Sequence, residues 1–406
     1  MNIDSIMAKL STKEGRADPF PLYAAMHELG QVAALGDSSP HAAIVHGYAA
    51  VDKVLRDPGF LVTGHEIVAR KKPDWRDSPM YNTLLNSTMF ANPPDHPRMR
   101  RLFHAVLTPR RVSALEPAMT GMIDRLLDRI ADLGSGGSEV EFMSEFAYKF
   151  PTTVMAALLG IPEEDLDWFR PRVDTVNKAL DLGNEEAKAA ADVAAAELAG
   201  YYTDQIALRR ARPGDDLLSA LLAAMEAGEQ PISDTELIGN MVVTFNAGFV
   251  TTLNMLGNGM AQLLRNPDHA HAVSTDPDCV PGYVEEILRY EPAVHLVVRW
   301  ASVDSELDGV HIPAGRSMLV MLGAANRDPA RFPDPGVFDP TRPTGQAISF
   351  GAGAHYCLGA VLARTEGRLA LPRLLQRFPK LRLGAEPVMN AQLLLRGYAK
   401  LPVHVS

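Results

Sequence analysis

The sequence predicts a mainly α chain with a small β region, and three observations carry that expectation. Apolar residues recur at helical spacing through the first 290 residues. One stretch, from Leu237 to Leu264, holds no charged residue and reads as a single long helix. Short β-like pieces gather in the last third, where hairpin punctuation appears.

Taken in order, "MTGMIDRLLDRIADLG" from Met119, "YKFPTTVMAALLGIP" from Tyr148 and "DDLLSALLAAMEAGE" from Asp215 each repeat apolar residues three or four apart. The long helix follows. Ser233 and Glu236, just after Pro231, are spaced as a capping box, and Asn266-Pro267 marks the stop. About 32 residues at roughly 1.5 Å each give a rod of about 48 Å, enough to cross the molecule. That length would also span a bilayer. Asn240, Asn246, Asn254, Asn258 and Gln262 are costly in hydrocarbon, however, so the expectation is a buried core helix. Its middle, "NAGFVTTLN", puts Gly248 where alanine would be more stable by about 1 kcal/mol. Close approach of something flat would explain this, and a core helix with incidental small residues explains it equally well. Further on, "VRWASVDSELDGVHIPAGRSMLVMLG" from Val298 has turns at Asp308-Gly309 and Pro313-Ala-Gly315, which predict a small sheet. The span from Ala325 to Gly353 is rich in proline and glycine, a meandering connection of the kind that serves a site.

With 406 residues, 47% hydrophobic and 22% charged, the chain has ordinary globular composition. A net charge of -10 argues against a nucleic-acid binder. Two cysteines, Cys279 and Cys357, cannot build a disulfide framework or a closed cysteine-rich zinc site, and they suit a reducing, cytoplasmic setting. The first 30 residues lack the apolar core of a signal peptide, so export is not expected.

Cys357 stands out. It lies in "SFGAGAHYCLGA", a glycine-rich loop that turns into the helical pattern "LGAVLARTEGRLAL". A cysteine near a helix start feels the positive end of the dipole, which favours the thiolate, a nucleophile or metal ligand. His355, two residues upstream, is poorly placed as a base if the loop is extended. Gly351, Gly353 and Gly359 remove side chains near the sulfur, which suits a large planar cofactor. Cys279 has no such surroundings and reads as a buried, inert cysteine.

"FGAGAHYCLG", from Phe350, resembles the F-G-x-G-x-H-x-C-x-G haem-binding signature of cytochrome P450 enzymes. Other elements of that family occur in the same order. "EILR" supplies an E-x-x-R pair, Glu286 and Arg289, and "ANRDPARFPDPGVFDPTRP" resembles the meander whose Arg342 would join it. "HPRMR" gives His96 and Arg100, which with Arg299 and His355 resemble the haem-propionate contacts. "NAGFVTT" resembles the oxygen-binding element of the long distal helix, with Ala247, Gly248, Thr251 and Thr252. The resemblance covers essentially the whole chain and is nearest to soluble bacterial members. It implies the cytochrome P450 fold, a single domain over residues 1–406, haem b ligated by Cys357 and contacted by Phe350, Gly351 and Gly359, and a monooxygenase acting on O2. In such an enzyme the thiolate favours O–O cleavage, and O2 is reduced, protonated and split so that one atom enters the substrate.

One departure concerns proton delivery. The family usually places an acid immediately before the catalytic threonine, where this chain has Val250. Delivery would then use Thr251 with ordered water, Thr252, Asn246 or a polar group of the substrate. No dinucleotide-binding pattern is present: "GSGGSEV" lacks the spacing. The resemblance therefore implies electrons drawn indirectly from NAD(P)H through a ferredoxin reductase and a ferredoxin, docking near Arg110 and Arg111, on a monomer that engages neither membrane nor nucleic acid. By family position, substrate contacts fall within Val62 to Phe90, residues 169–190, Phe245 to Thr252, Val294 to Val298 and Leu393 to Leu395. Phe90, Phe245, Val250, Val294, Val297 and Leu394 are the named candidates. These largely apolar segments point to a mostly neutral natural product such as a polyketide or macrolide, as in antibiotic biosynthesis, hydroxylated or epoxidised. The alternative is a haem-thiolate isomerase, dehydratase, oxidative-coupling enzyme or sensor.

Overall fold

The structure, a computed structural model, describes residues 1–36, 38–178, 185–228, 232–343, 345–390 and 392–406. The chain divides into two compact units: one comprises Met1–Leu61, Glu116–Phe150 and Thr251–Ser406, the other Val62–Leu115 and Pro151–Val250.

The second unit is helical. It holds Asp95–Val106, Leu166–Lys178, Glu185–Ala211, Leu217–Ala227 and the first half of the long helix Asp234–Leu264. Ser233 and Glu236 close the anticipated capping box reciprocally, at 2.7 and 3.2 Å; Pro231 lies outside the described residues. Asn240, which argued against a membrane span, is 4% exposed and accepts from both the amide and the hydroxyl of Thr88. No described helix is long and apolar enough to cross a membrane.

The first unit carries the sheets. Its largest runs in the order Val32–Ala34, His41–Val45, Ser317–Val320, Val297–Ala301, Phe60–Leu61. The His41–Val45 and Ser317–Val320 strands are parallel and the other neighbours antiparallel. Three of the five strands thus come from the first 61 residues, earlier than the sequence led us to expect. They are two to five residues long, too short for a visible alternation, and only pairing with the later strands defines them. The Ser305–Leu307/Val310–Ile312 hairpin turns at Asp308 and Gly309, both at positive φ (50° and 77°), as the Asp-Gly pair anticipated.

The element that organises this unit is a buried ion pair. On the helix Val280–Tyr290, Glu286 and Arg289 are 3% and 2% exposed. They pair through two bonds, Nε to Oε2 at 2.7 Å and Nη2 to Oε1 at 2.6 Å. The remaining guanidinium donors take the carbonyls of Asn326, Pro335 and Val337, each at 3.0 Å. Glu286 also accepts the Asp339 amide at 2.8 Å, and Arg342 Nε stands 3.6 Å from its Oε1. The Ala325–Gly353 connection, of which Thr344 is not described, is therefore held by charge rather than by regular structure.

Replacing either partner would strand a buried charge at about 3 to 5 kcal/mol. Glu286→Ala and Arg289→Ala are each expected to give haem-poor or insoluble protein. Soret absorbance per mole of purified protein measures this, and wild-type haem content in either variant would reduce the pair to an ornament.

Candidate functional site

The cysteine loop is built from turns that glycine alone makes without strain. Gly351 and Gly353 have φ of 68° and 66°. The Cys357 amide reaches back to the Phe350 carbonyl at 2.9 Å, closing the loop on itself. The helix Ala360–Arg377 starts three residues beyond the sulfur, and Cys357 is exposed and in no disulfide. The three glycines divide their work differently from the sequence reading. Only Gly359 is placed against the sulfur, since a methyl group there would lie 3.9 Å from Sγ. Gly353 instead lets the turn press on the backbone of Leu55 and Arg56, where a Cβ would come within 2.8 Å of the Arg56 Cα. Cys279, expected to be buried, is partly exposed in the turn that precedes the helix Val280–Tyr290, where it is the N-cap residue and its thiol lies 3.0 Å from the Asp276 carbonyl. Burial and the Asp276 charge push its thiol pKa up, away from reactivity.

Two residues that the sequence reading did not single out tie this loop to the ion pair. Asn326, fully buried, accepts the Ile348 amide at 2.8 Å and donates to Ser349 Oγ at 2.7 Å; Ser349 donates in turn to the Leu288 carbonyl at 2.6 Å. Arg327 donates to the Tyr290 carbonyl and lies 3.7 Å from the centre of that ring. Both sit in "ANRDP", inside the segment recognised as the meander, which was the available signal. Phe350 carries the Arg364 guanidinium 4.5 Å above its ring, and Arg364 pairs with Glu285.

Arg299 tests whether the site suits haem. It sits on the strand Val297–Ala301 with 8% exposure, and its one hydrogen bond among the described residues is to the Val298 carbonyl at 2.9 Å. It forms no ion pair among them, and burial alone pulls its pKa down to about 10. A buried cation without a counter-ion among the described residues suits an anion from outside, and the haem propionates are such anions. The group fits. His355, on the same unit, is half-buried at the end of the turn Gly353–His355. In the other unit, His96 and Arg100 lie one turn apart on Asp95–Val106; His96 is 3% exposed, and burial followed by the Arg100 charge lowers its pKa to about 4. Arg100 Nε donates to His104 at 2.9 Å.

On the long helix, the side chain beside Gly248 is Met155, whose Cε lies 2.7 Å from where a Cβ would stand. The space that glycine opens is lined by a pliant thioether. Thr252, 2% exposed, donates to Glu366 Oε2 at 3.3 Å. Glu366, from the helix after the cysteine, is 1% exposed, and burial raises its pKa to about 8. Burial thus favours its neutral form, beside the Thr251-Thr252 pair; sequence reading missed it because nothing in "RTEGRL" marks a glutamate as buried. The apolar candidates are spread over both units. Phe245 is fully buried between Phe169 and Phe249, with ring centres at 4.7 and 5.6 Å; Phe90 and Val250 are half-buried. Val294 bridges to Leu395, Val297 pairs with Val320, and Leu394 is exposed. Of the 169–190 region, residues 179–184 lie outside the described residues.

The Glu366 proton couples to stability with a definite sign. The folded chain holds this proton up to about pH 8, whereas an unfolded glutamate releases it near 4.5. Between those values the folded state binds the extra proton, so stability falls as pH rises, by about 1.4 kcal/mol per pH unit for this group. Urea unfolding of wild type and Glu366→Gln from pH 5 to 9 is expected to show the variant gaining on wild type up to about pH 8 and then levelling. A pH-independent difference would contradict the assignment.

Comparison with known proteins agrees with this geometry. The family model described as Cytochrome P450 matches residues 10–395. Cytochrome P450 107B1 of Saccharopolyspora erythraea is 40% identical over 368 residues, 89% of this chain and 88% of its own length. The 6-deoxyerythronolide B hydroxylase of the same organism is 34% identical over 407 residues, 98% of each chain. Among solved structures, P450BioI in complex with hexadec-9Z-enoic acid ligated acyl carrier protein has a TM-score of 0.88 at 29% identity, covering 97% of this chain and 99% of that one. The mainly α architecture, the loop around Cys357 and these likenesses together establish that the chain belongs to the cytochrome P450 family of haem enzymes.

Proposed function

We propose that the chain, as one haem-thiolate domain, inserts one atom of O2 into a mostly apolar natural product, a polyketide or macrolide, while the other atom leaves as water. The observation that carries this reading is the combination, within one unit, of the exposed Cys357 thiol with an unneutralised buried Arg299. A sulfur ligand and a cation awaiting an anion are what haem binding needs. Cys357 would hold the iron; Arg299, His355, His96 and Arg100 would take the propionates; Phe350, Gly351 and Gly359 would lie along the macrocycle. Bound there, haem supplies O2 activation.

The chain's own part is to seat the substrate, exclude water and move protons. By the family resemblance, Phe90, Phe245, Val250, Val294, Val297 and Leu394 would be the substrate contacts, and none carries a charge, which suits a neutral substrate. A similar enzyme whose name specifies a macrolactone, 6-deoxyerythronolide B hydroxylase, supports that class. Thr251 orients a donor toward the reacting oxygen, and Thr252, one residue on, donates its hydroxyl to Glu366 Oε2. Electrons come from NAD(P)H through a reductase and a separate ferredoxin, which meets the basic stretch around Arg110 and Arg111.

The ferrous carbon-monoxide complex is expected to show the strongly red-shifted Soret band of thiolate ligation, and Cys357→Ala to lose it; a variant that kept the band would have another ligand. Thr251→Ala is expected to bind substrate as wild type does while diverting electrons to hydrogen peroxide. Val250→Asp should raise coupling more for truncated substrates than for one with a hydroxyl near the oxidised carbon. A proton-donor contribution is typically of order 10² to 10⁴ in rate, so peroxide and product yields per NADH resolve it. Identical coupling in all three proteins would remove Thr251 and position 250 from proton delivery.

A further inference from the structure

The helix Phe20–His27 packs into an apolar cluster with Ile6, Leu10, Leu296 and Met321, yet it brings a hydroxyl there. Tyr23 is fully buried and shares a 2.9 Å hydrogen bond with Nδ1 of His295, which is fully buried as well. Burial, followed by the Arg396 and Arg327 charges, holds the His295 pKa well below the ordinary histidine value, so Tyr23 meets an uncharged ring. Phenylalanine and leucine would fill the same two places with no polar atom to satisfy. What the pair adds over apolar packing is a fixed direction. His295 stands where three segments cross. Its amide donates to the Leu394 carbonyl at 2.9 Å, and its carbonyl accepts the Gly323 amide at 3.0 Å. Gly323 makes room for the ring, since a Cβ there would lie 2.7 Å from Nδ1. On the same segments the Arg396 amide donates to the Ala293 carbonyl at 2.8 Å, and Val294 bridges to Leu395. The neighbours of His295 divide between two cores: Leu296 and Val298 join the Tyr23 cluster, whereas Val294 and Val297 pack against the cluster of Val45 and Val320. A second tie runs from Arg396, which pairs with Glu291 and donates to the Arg16 and Ala17 carbonyls at 2.6 and 2.9 Å, just ahead of the helix that carries Tyr23.

We propose that His295, held by Tyr23, is a positioning residue for substrate recognition: it fixes the crossing of the two segments that carry Val294 and Leu394, and so lets the helix Phe20–His27 decide where those two side chains stand. The physical basis is continuity. Val294 is joined to His295 by one peptide bond, and Leu394 by the hydrogen bond from the His295 amide, so a rotation or shift of the buried ring moves both. Packing alone would let the Val294–Val298 segment slide between its two cores, because apolar contacts are non-directional. The Tyr23–His295 bond removes that freedom from the side where the ring is anchored, and Arg396 holds the partner segment to the same stretch of chain. Neither Tyr23 nor His295 needs to touch the substrate. The use of Val294 and Leu394 as contacts rests on the haem monooxygenase reading, whereas the anchoring of their segments does not.

The test uses the haem-loaded protein and two iron-binding probes: imidazole, which needs only the iron, and a biphenyl-substituted imidazole, which also reaches the side chains around it. Each gives a dissociation constant from the Soret shift. Tyr23→Phe is expected to keep the carbon-monoxide band and the imidazole constant of wild type and to bind the larger probe roughly ten-fold more weakly, within the cost of leaving a buried polar group unpaired. His295→Gln, which keeps an acceptor for the Tyr23 hydroxyl, should bind the larger probe close to wild type. The double variant Tyr23→Phe/His295→Leu separates positioning from stability. With both partners apolar its melting temperature should return toward wild type, while the larger probe stays weakened. Recovery of that affinity together with the melting temperature would show a purely structural pair and overturn the proposal, as would a wild-type constant for the larger probe in Tyr23→Phe. Should Tyr23→Phe fail to fold, the double variant and His295→Gln decide by the same criteria. A wild type whose Soret band does not move with imidazole would overturn the haem reading and the proposal with it. If imidazole binds but the larger probe is indifferent to Val294→Ala and Leu394→Ala, those residues are not contacts and the proposal falls while the haem reading stands.

Discussion

A carboxylate removed from water must be matched by a cation and by enough hydrogen bonds to occupy every lone pair, and Glu286 imposes that demand on its whole unit. Its bidentate partner Arg289 leaves donors to spare, and these take three backbone carbonyls of a segment with little regular structure. Desolvation makes the arrangement intolerant of a missing member. It gains specificity in exchange: the meander has one position in which all these groups are satisfied. Asn326 then carries that position into Ile348 and Ser349, where the cysteine loop begins. The placement of Cys357 is thus a consequence of an ion pair 68 residues earlier in the chain.

The same principle, applied in reverse, describes the cofactor site. Where the ion pair is saturated from within, the buried Arg299 guanidinium has only the Val298 carbonyl as a hydrogen-bond partner among the described residues. A protein that buries a cation without an internal counter-ion is arranged for a ligand that brings the charge. On the proposed reading, a haem propionate would relieve the desolvation penalty of that cation.

Proton handling is where this chain departs most from its family's usual pattern. Valine stands at position 250, and the polar groups further along the helix and on its neighbour are buried: Glu366, whose Oε2 accepts from Thr252, and Asn254 and Asn258.

What the sequence determined by itself was whatever depends on local chemistry. The capping box at Ser233, the Asp308-Gly309 turn, the uncharged run of the long helix and the glycine-cysteine signature are all contiguous, and each implies its conformation through backbone sterics or burial. Glu286 and Arg289 were legible for the same reason, being one helical turn apart. What only the tertiary structure decided involves partners distant in sequence. The strands Val32–Ala34, His41–Val45 and Phe60–Leu61 are too short to show a period and exist because later strands pair with them. The use of Gly353 depends on Leu55 and Arg56, some 300 residues away, and Gly248 is explained by Met155. Glu366 looks like an ordinary helix-surface residue in sequence, because burial, which raises its pKa, is a property of neighbours that a linear chain does not display.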